Sequence, residues 1–391
     1  MKGDANVGKT TDFEKERKKY AFRKTVRRLL VVALVTAFAV VTYALRFDIA
    51  SQGFGVLLSD TVAMLFDQTG YPIDIASEPL QLTSVGHRAV LVTENAISVY
   101  NQAGKQVIDE RMVGKNTLAV SAGRYLLTYA RGGYDLEVRS GDTVIFSHKF
   151  DYPIYTAAIA PTGACAVSTA ALGDQSQVIV YDSNYTQQFL WVSAERIIYN
   201  LALDKNARYI AVGGVGLNGG SLESAVTAFE ISTGQERCTH VLSNELLLAL
   251  SLTEGVEATA VTDRAVHRLS NISGKANSYS LSDEHIASFA IAPDGAVALA
   301  IGDFESAHTV RLVLLNENAV PTAEGSFDRN IKSLHFYNDG LIAFLGERAV
   351  RFDAQLKKQE ITETPDALCA QVIGKRLYFA TMQQISNAAI R

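Results

Sequence analysis

The sequence has 391 residues, 48% of them hydrophobic and 20% charged, with only 7 Pro and 3 Cys. That much apolar surface suits a packed core and excludes disordered, collagen-like and disulfide-stapled classes. The net charge of −5 joins two unlike parts: residues 1–28 carry ten Lys/Arg against four Asp/Glu, and the rest carries 26 against 37. An acidic bulk lacks the basic footprint of a nucleic-acid binder, so no nucleic-acid partner is expected.

In chain order, the first predicted element is a charged helix opened by the capping pair Thr11 and Glu14 and running to Arg28. Residues 29–45 then read LLVVALVTAFAVVTYAL, with no charge in 17 positions. At 1.5 Å per residue this is about 25 Å, short of the ~30 Å hydrocarbon core by an amount that Arg27, Arg28 and Arg46 can make up by snorkelling. A transmembrane helix over 29–46 is expected, in contact with membrane lipid. The basic flank places residues 1–28 in the cytoplasm and everything after the span outside it. A cleavable signal peptide is the competing reading, with Thr42-Tyr43-Ala44 as its cleavage site. The basic region and the apolar run are both longer than such peptides use. Residues 47–70 form a juxtamembrane linker or a short amphipathic helix with Phe54, Leu57, Leu58, Val62 and Leu65 on one face.

Two nucleotide-binding patterns occur, and both lack their context. Residues 3–10 satisfy the phosphate-loop pattern with no strand before them. Residues 214–219 satisfy G-x-G-x-x-G after a strand-like run, yet an alternating, β-branched run follows where a helix is required. The glycines of residues 213–220 therefore read as a long strand-to-strand loop.

Beyond residue 80 short alternating runs recur between turn residues. AIAPTGACAV at residues 158–167 returns as AIAPDGAVAL at 290–299. Equivalent turns fall at Gly86, Gly123, Gly163, Asn206, Gly255, Gly295, Gly340 and Gly374, a mean spacing of about 41 residues. Gly, or Asn once, is expected to supply a positive φ there. Each unit yields four strands; in the third they are YTAAIA, ACAVST, QVIVYD and QQFLWV, starting at residues 155, 164, 177 and 187. The period and strand count predict an all-β fold, a β-propeller over residues 71–391. Eight blades are expected, seven being the alternative. The last unit has only three strands, and GYPIDI at residues 70–75 is the candidate to complete it.

The blades resemble the quinoprotein-like and WD-repeat superfamilies. AFEISTG at residues 228–234 is similar to one copy of the quinoprotein repeat, although Cys238 stands near the place of its Trp and no WD dipeptide occurs. The layout of basic tail, single span and propeller carrying RYLLTYARGGYDLEV (124–138) resembles a bacterial family of unknown function. That resemblance implies no enzyme chemistry.

The seven His show no zinc-helix spacing, and neither H-E-x-x-H nor G-x-S-x-G occurs. Cys165, Cys238 and Cys369 read as structural thiols. No catalytic residue, metal ligand or cofactor is expected. A binding face remains. Loops joining second to third strands and fourth to first strands share one rim, which offers Arg131, Tyr134, Tyr152, Asp174, Asp303, Phe304, Glu305 and Arg329 as partner-binding candidates. The expected function is a non-catalytic, membrane-anchored extracytoplasmic scaffold for a protein or cell-envelope partner. The alternative is an exported hydrolase or quinone-dependent dehydrogenase working at the channel mouth.

Overall fold

Alternation of small or branched apolar residues with polar ones, cut every five to seven residues by Gly, Asn or Asp, gives short strands with two usable faces. Neither face of such a sheet can meet water alone, so each sheet needs a neighbour on both sides. The computed structural model describes residues 70–390 except 112–115, 254–256, 271, 282–283, 303–308 and 328–330, together with residues 17–20, 22, 24–26, 31–32, 35–36 and 56. The chain divides into two units, Met1–Phe54 and Gly55–Arg391.

In the first unit the described residues are helical, in keeping with the helix expected in the basic tail. Of the expected span, only residues 31–32 and 35–36 are described, and the rest lies outside the described residues. Among the described residues no helix is long and apolar enough to cross a membrane. The expected juxtamembrane helix also lies outside them, apart from Val56.

The second unit is an eight-bladed β-propeller of four-stranded antiparallel sheets. Blade 1 starts at Pro79, and blades 2 to 8 start at Thr117, Ile154, Ile197, Leu247, His285, Ser333 and Cys369. Within each blade the strands lie in chain order from the centre outward. Blade 8 is completed by Ile73–Asp74, which pairs with Gln384–Ala389 as its outer strand. The strand expected to close the ring does so.

The core is a ring of seams. Eight apolar clusters each bridge one pair of adjacent blades. The seam between blades 8 and 1 joins Tyr378, Ala380 and Ile385 to Leu82, Leu91 and Tyr100. Closing the sheets into a ring leaves no blade with a bare face.

Because strands alternate in direction, first-to-second and third-to-outer connections lie on one face, called here the turn face. Second-to-third connections and the links between blades lie on the other, the rim face. Seven of the eight expected turns fall between first and second strands, Gly340 opening the second strand of its blade, and the eighth, Gly255, lies outside the described residues. Gly86, Gly123, Gly163, Gly295 and Gly374 have positive φ as expected, but two positions differ. At the fourth turn Ala207, not Asn206, has the positive φ of 52°. There the Asp204 carboxylate accepts from the backbone N–H of Asn206, Arg208 and Tyr209, and this wraps the turn tightly enough to hold an alanine left-handed. At the seventh turn Asn338 takes that conformation. Gly340 is required for another reason: a Cβ there would lie 2.1 Å from the carbonyl oxygen of Phe352.

The glycine loop is also corrected. Residues 213–218 belong to a ten-residue strand, Tyr209–Asn218, paired to its last residue with Ser221–Glu230. Only Gly219 and Gly220, with φ of 59° and 87°, form the turn. No helix follows, so the nucleotide fingerprint has no helix N-terminus to work with. Gly213 and Gly214 lie where neighbouring strands crowd in: Cβ atoms would come within 2.3 Å of Leu247 Cδ2 and 2.5 Å of Ile198 Cδ1.

A candidate binding rim

The rim loops of blades 2 and 3 are stitched together through their backbones. Gly132 N–H donates to Ile154 O (2.8 Å), Ile154 N–H to Gly133 O (2.7 Å) and Phe150 N–H to Tyr134 O (2.8 Å). Ala170 N–H donates to Pro153 O (3.0 Å), which draws in the loop that carries Asp174. Arg131, Tyr134, Tyr152 and Asp174 therefore share one loop cluster, although 43 positions separate the first from the last. Arg131, Tyr134 and Asp174 are exposed and Tyr152 is half-buried. Asp303, Phe304, Glu305 and Arg329 lie outside the described residues.

Polar groups at the blade 3–4 junction hold structure. Arg196 places Nη2 2.5 Å from Glu223 Oε1, and Asn218 Nδ2 donates to Glu223 Oε2 (3.0 Å). The Asn218 and Arg196 hydrogen bonds hold the Glu223 carboxyl below its ordinary range. The trio braces the tip of the long blade 4 hairpin. Beside it lies a cleft of about 260 Å³ between the outer strand of blade 3 and blade 4, lined by Trp191, Glu195, Arg196, Thr227, Glu236 and Thr239. At the blade 1–2 seam Arg139 bridges Glu110 and Glu137, and at the blade 5–6 seam Arg311 joins Glu284 and Tyr279. Burial raises the Glu137 carboxyl above its usual range against the pull of Arg139.

Sequence reasoning missed the apolar members of the rim. Leu172 is 83% exposed and Leu217 77%, the latter one residue from the hairpin turn. Their signal was present as leucines next to a glycine between strand-like runs, positions where burial has no use for them. It also passed over His267, which lies between Glu245 and Ser278.

Among the described residues no group of three or more His, Cys, Asp or Glu could hold a metal ion. The three cysteines are free thiols, with burial pushing Cys165 up to about 12 and Cys369 up to about 11.

Solved structures with the same architecture include the C-terminal WD40 domain of Sif2 (TM-score 0.56, 11% identity, 82% of this chain and 99% of that one). A eukaryotic initiation factor gives a TM-score of 0.55 at 14% identity, covering 82% of this chain and 86% of that one. BamB from Moraxella catarrhalis gives 0.51 at 14% identity, covering 81% and 97%. At these identities the likeness shows the fold alone. No curated protein sequence matches the chain. Residues 67–387 match DUF5711, and this chain therefore belongs to that family of unknown function.

Proposed function

We propose that the protein is a membrane-tethered propeller whose rim face binds a protein partner outside the cytoplasm. One observation carries the reading: exposed large apolar side chains are distributed unequally between the two faces. Among the described residues of the propeller, eleven lie in rim-face connections or are one of the two terminal residues of a strand on that face, against three by the same measure on the turn face. Leu80, Tyr134, Leu172, Leu217, Leu248 and Met382 are among the eleven; Val144, Ile272 and Val320 are the three. Exposed apolar groups gathered on one face mark an interaction surface, whereas scattered ones need no explanation. Arg131, Tyr134 and Asp174 add the aromatic and charged contacts that such surfaces use for specificity.

Tethering is supported by the uncharged run at residues 29–45 and by the exposed, helical Val31, Val32 and Val35. The chain enters the propeller on the turn face, where Gly70 N–H donates to Ala103 O (2.9 Å). Gly70, the first described residue of the propeller, thus lies on the face opposite the rim.

Photo-crosslinkers at Leu172 and Leu217, compared with Ile272 and Val320 in intact cells, test the binding reading. Discrete adducts from the rim pair alone support it; equal adducts from both faces, or none from the rim, refute it. Protease added to sealed spheroplasts tests placement, since digestion of the propeller without permeabilisation is required.

A further inference from the structure

At the rim end of the blade 4–5 seam a serine, a histidine and a carboxylate stand in line. His267 lies in the third strand of blade 5, Ala265–Ser270, and Ser278 opposite it in the outer strand, Ala276–Ser280. His267 Nδ1 is 2.7 Å from Ser278 Oγ, and its Nε2 is 2.7 Å from Glu245 Oε2. Thr262 Oγ1 donates to the same carboxylate oxygen at 2.7 Å. A carboxylate can only accept, so Nε2 carries the ring proton and Nδ1 is left to accept from the serine hydroxyl. That polarity prepares a serine for attack.

The backbone supports the same chemistry. Ser270 N–H donates to Lys275 O and Leu281 N–H to Arg264 O, both 2.9 Å. Hydrogen-bonded pairs recur every second residue, so His267 and Ser278 form the non-hydrogen-bonded pair between them, the closer of the two arrangements. In that register the Ser278 N–H points out from the sheet edge, on the outermost strand of its blade. An N–H so placed can donate to the oxygen of an attacked carbonyl, as the nucleophile's own amide does in serine hydrolases. Glu245 is held in the blade link by its neighbours: Asn244 N–H donates to Leu222 O (3.2 Å) and Leu246 N–H to Asp263 Oδ1 (2.8 Å). His267 is 7% exposed, whereas Ser278 faces solvent. The reactive end is thus the accessible end.

We propose that Ser278 is a nucleophile activated by His267 and positioned by Glu245, and that it hydrolyses carboxylic esters reached from the open blade edge. Ser278 Oγ bonds to the acyl carbon while its proton passes to His267 Nδ1. The ester C–O bond breaks, and the leaving alcohol takes that proton. Water then gives a proton to Nδ1 as its oxygen attacks the acyl carbon; the acyl C–Oγ bond breaks, Oγ takes that proton back from Nδ1, and the carboxylic acid leaves. This site borders the apolar rim at Leu246 and Leu248 but does not depend on the rim's binding a partner.

The test treats the purified full chain with a fluorophosphonate probe and maps the adduct by mass spectrometry, with p-nitrophenyl acetate turnover in parallel. The expected adduct lies on Ser278 and is absent from Ser278→Ala. His267→Gln should slow labelling about 100-fold and Glu245→Gln about 10-fold, with Glu245→Asp recovering part of the loss. Circular dichroism confirms that each variant is folded. No adduct on Ser278 in folded wild-type protein overturns the proposal, as does undiminished labelling of His267→Gln. Should that variant fail to fold, Ser278→Cys decides: beside the imidazole its thiol should alkylate with iodoacetamide at least ten times faster than Cys238. A rate no faster than that of Cys238 also overturns the proposal.

Discussion

Replacing Tyr71 should weaken the whole propeller, because this residue fastens the last blade to the first. Its ring meets Tyr378 edge to face, with centroids 5.3 Å apart and planes at 83°. Its hydroxyl donates to Asn101 O at 3.0 Å, across the closing seam. Tyr71→Ala removes an aromatic pair worth about 1 kcal/mol and a hydrogen bond worth about 1 kcal/mol. Burial lost from a half-exposed ring adds about 1 kcal/mol, giving about 3 kcal/mol, the low end of the range for aromatic truncation. Asn101 O keeps the bond from Gly104 N–H, so no orphaned acceptor adds to the total. Unfolding entropy of ~2.1 cal/mol/K per residue, over roughly 320 residues, makes this a fall in Tm of about 4–5 °C. Tyr71→Phe keeps the ring and should lose about a third as much. The chain's single tryptophan, Trp191, lies in the blade 3–4 seam on the opposite side of the ring and reports whether damage at the closure is felt there. Thermal unfolding followed by both Trp191 fluorescence and far-UV circular dichroism should shift by the same amount. If Tyr71→Ala moves the circular dichroism transition and leaves that of Trp191 in place, the ring does not unfold as one unit and the reasoning fails.

Alkaline stability follows from the same seam. Burial raises the Tyr71 phenol above its ordinary 10.0, helped by Tyr378 and Tyr100, and burial raises Tyr100 and Tyr378 as well. A raised acid holds its proton more tightly when folded, so this stability is complete below pH ~10 and declines as pH rises past it. In Tyr71→Phe the decline should be shallower; an unchanged slope in pH-dependent denaturation argues against the assignment. Gly340→Ala drives a Cβ into the Phe352 carbonyl, which cannot rotate away, and should cost about 3 kcal/mol. A loss under 1 kcal/mol by denaturant titration would show that the two strands part easily. Glu137 is a carboxyl raised by burial, so its ionisation opposes folding as pH rises through its folded value. Glu137→Gln should raise Tm at pH 7 and leave it unchanged at pH 3, and a fall at pH 7 refutes this. Leu172→Glu, with the crosslinker at Leu217, and Leu217→Glu, with the crosslinker at Leu172, should each change stability by less than ~0.5 kcal/mol while abolishing rim crosslinks. Intact crosslinking in both variants would remove these leucines from the interface.

The sequence alone determined the period, the strand order within each unit and the closing role of residues 70–75. These are local properties: alternation fixes strands, glycine and asparagine fix turns, and an incomplete last unit requires a donated strand. Two turn positions were misread because contacts made in the fold, not residue type alone, decide the backbone there. Gly340 answers to a carbonyl 12 residues away, and Ala207 is held left-handed by the carboxylate of Asp204.

The candidate sites were less legible. Arg131 and Asp174 could be assigned to the rim because antiparallel order alone sorts connections between two faces. Which rim residues face solvent, and that Leu172 and Leu217 are among them, depends on how adjacent blades shield each loop. Glu245, His267 and Ser278 span 33 positions without a motif. Strand register and the path of the link between blades 4 and 5 bring them into line, and only the tertiary structure decides those, because hydrogen bonds between strands carry no mark in the spacing of residues along one strand.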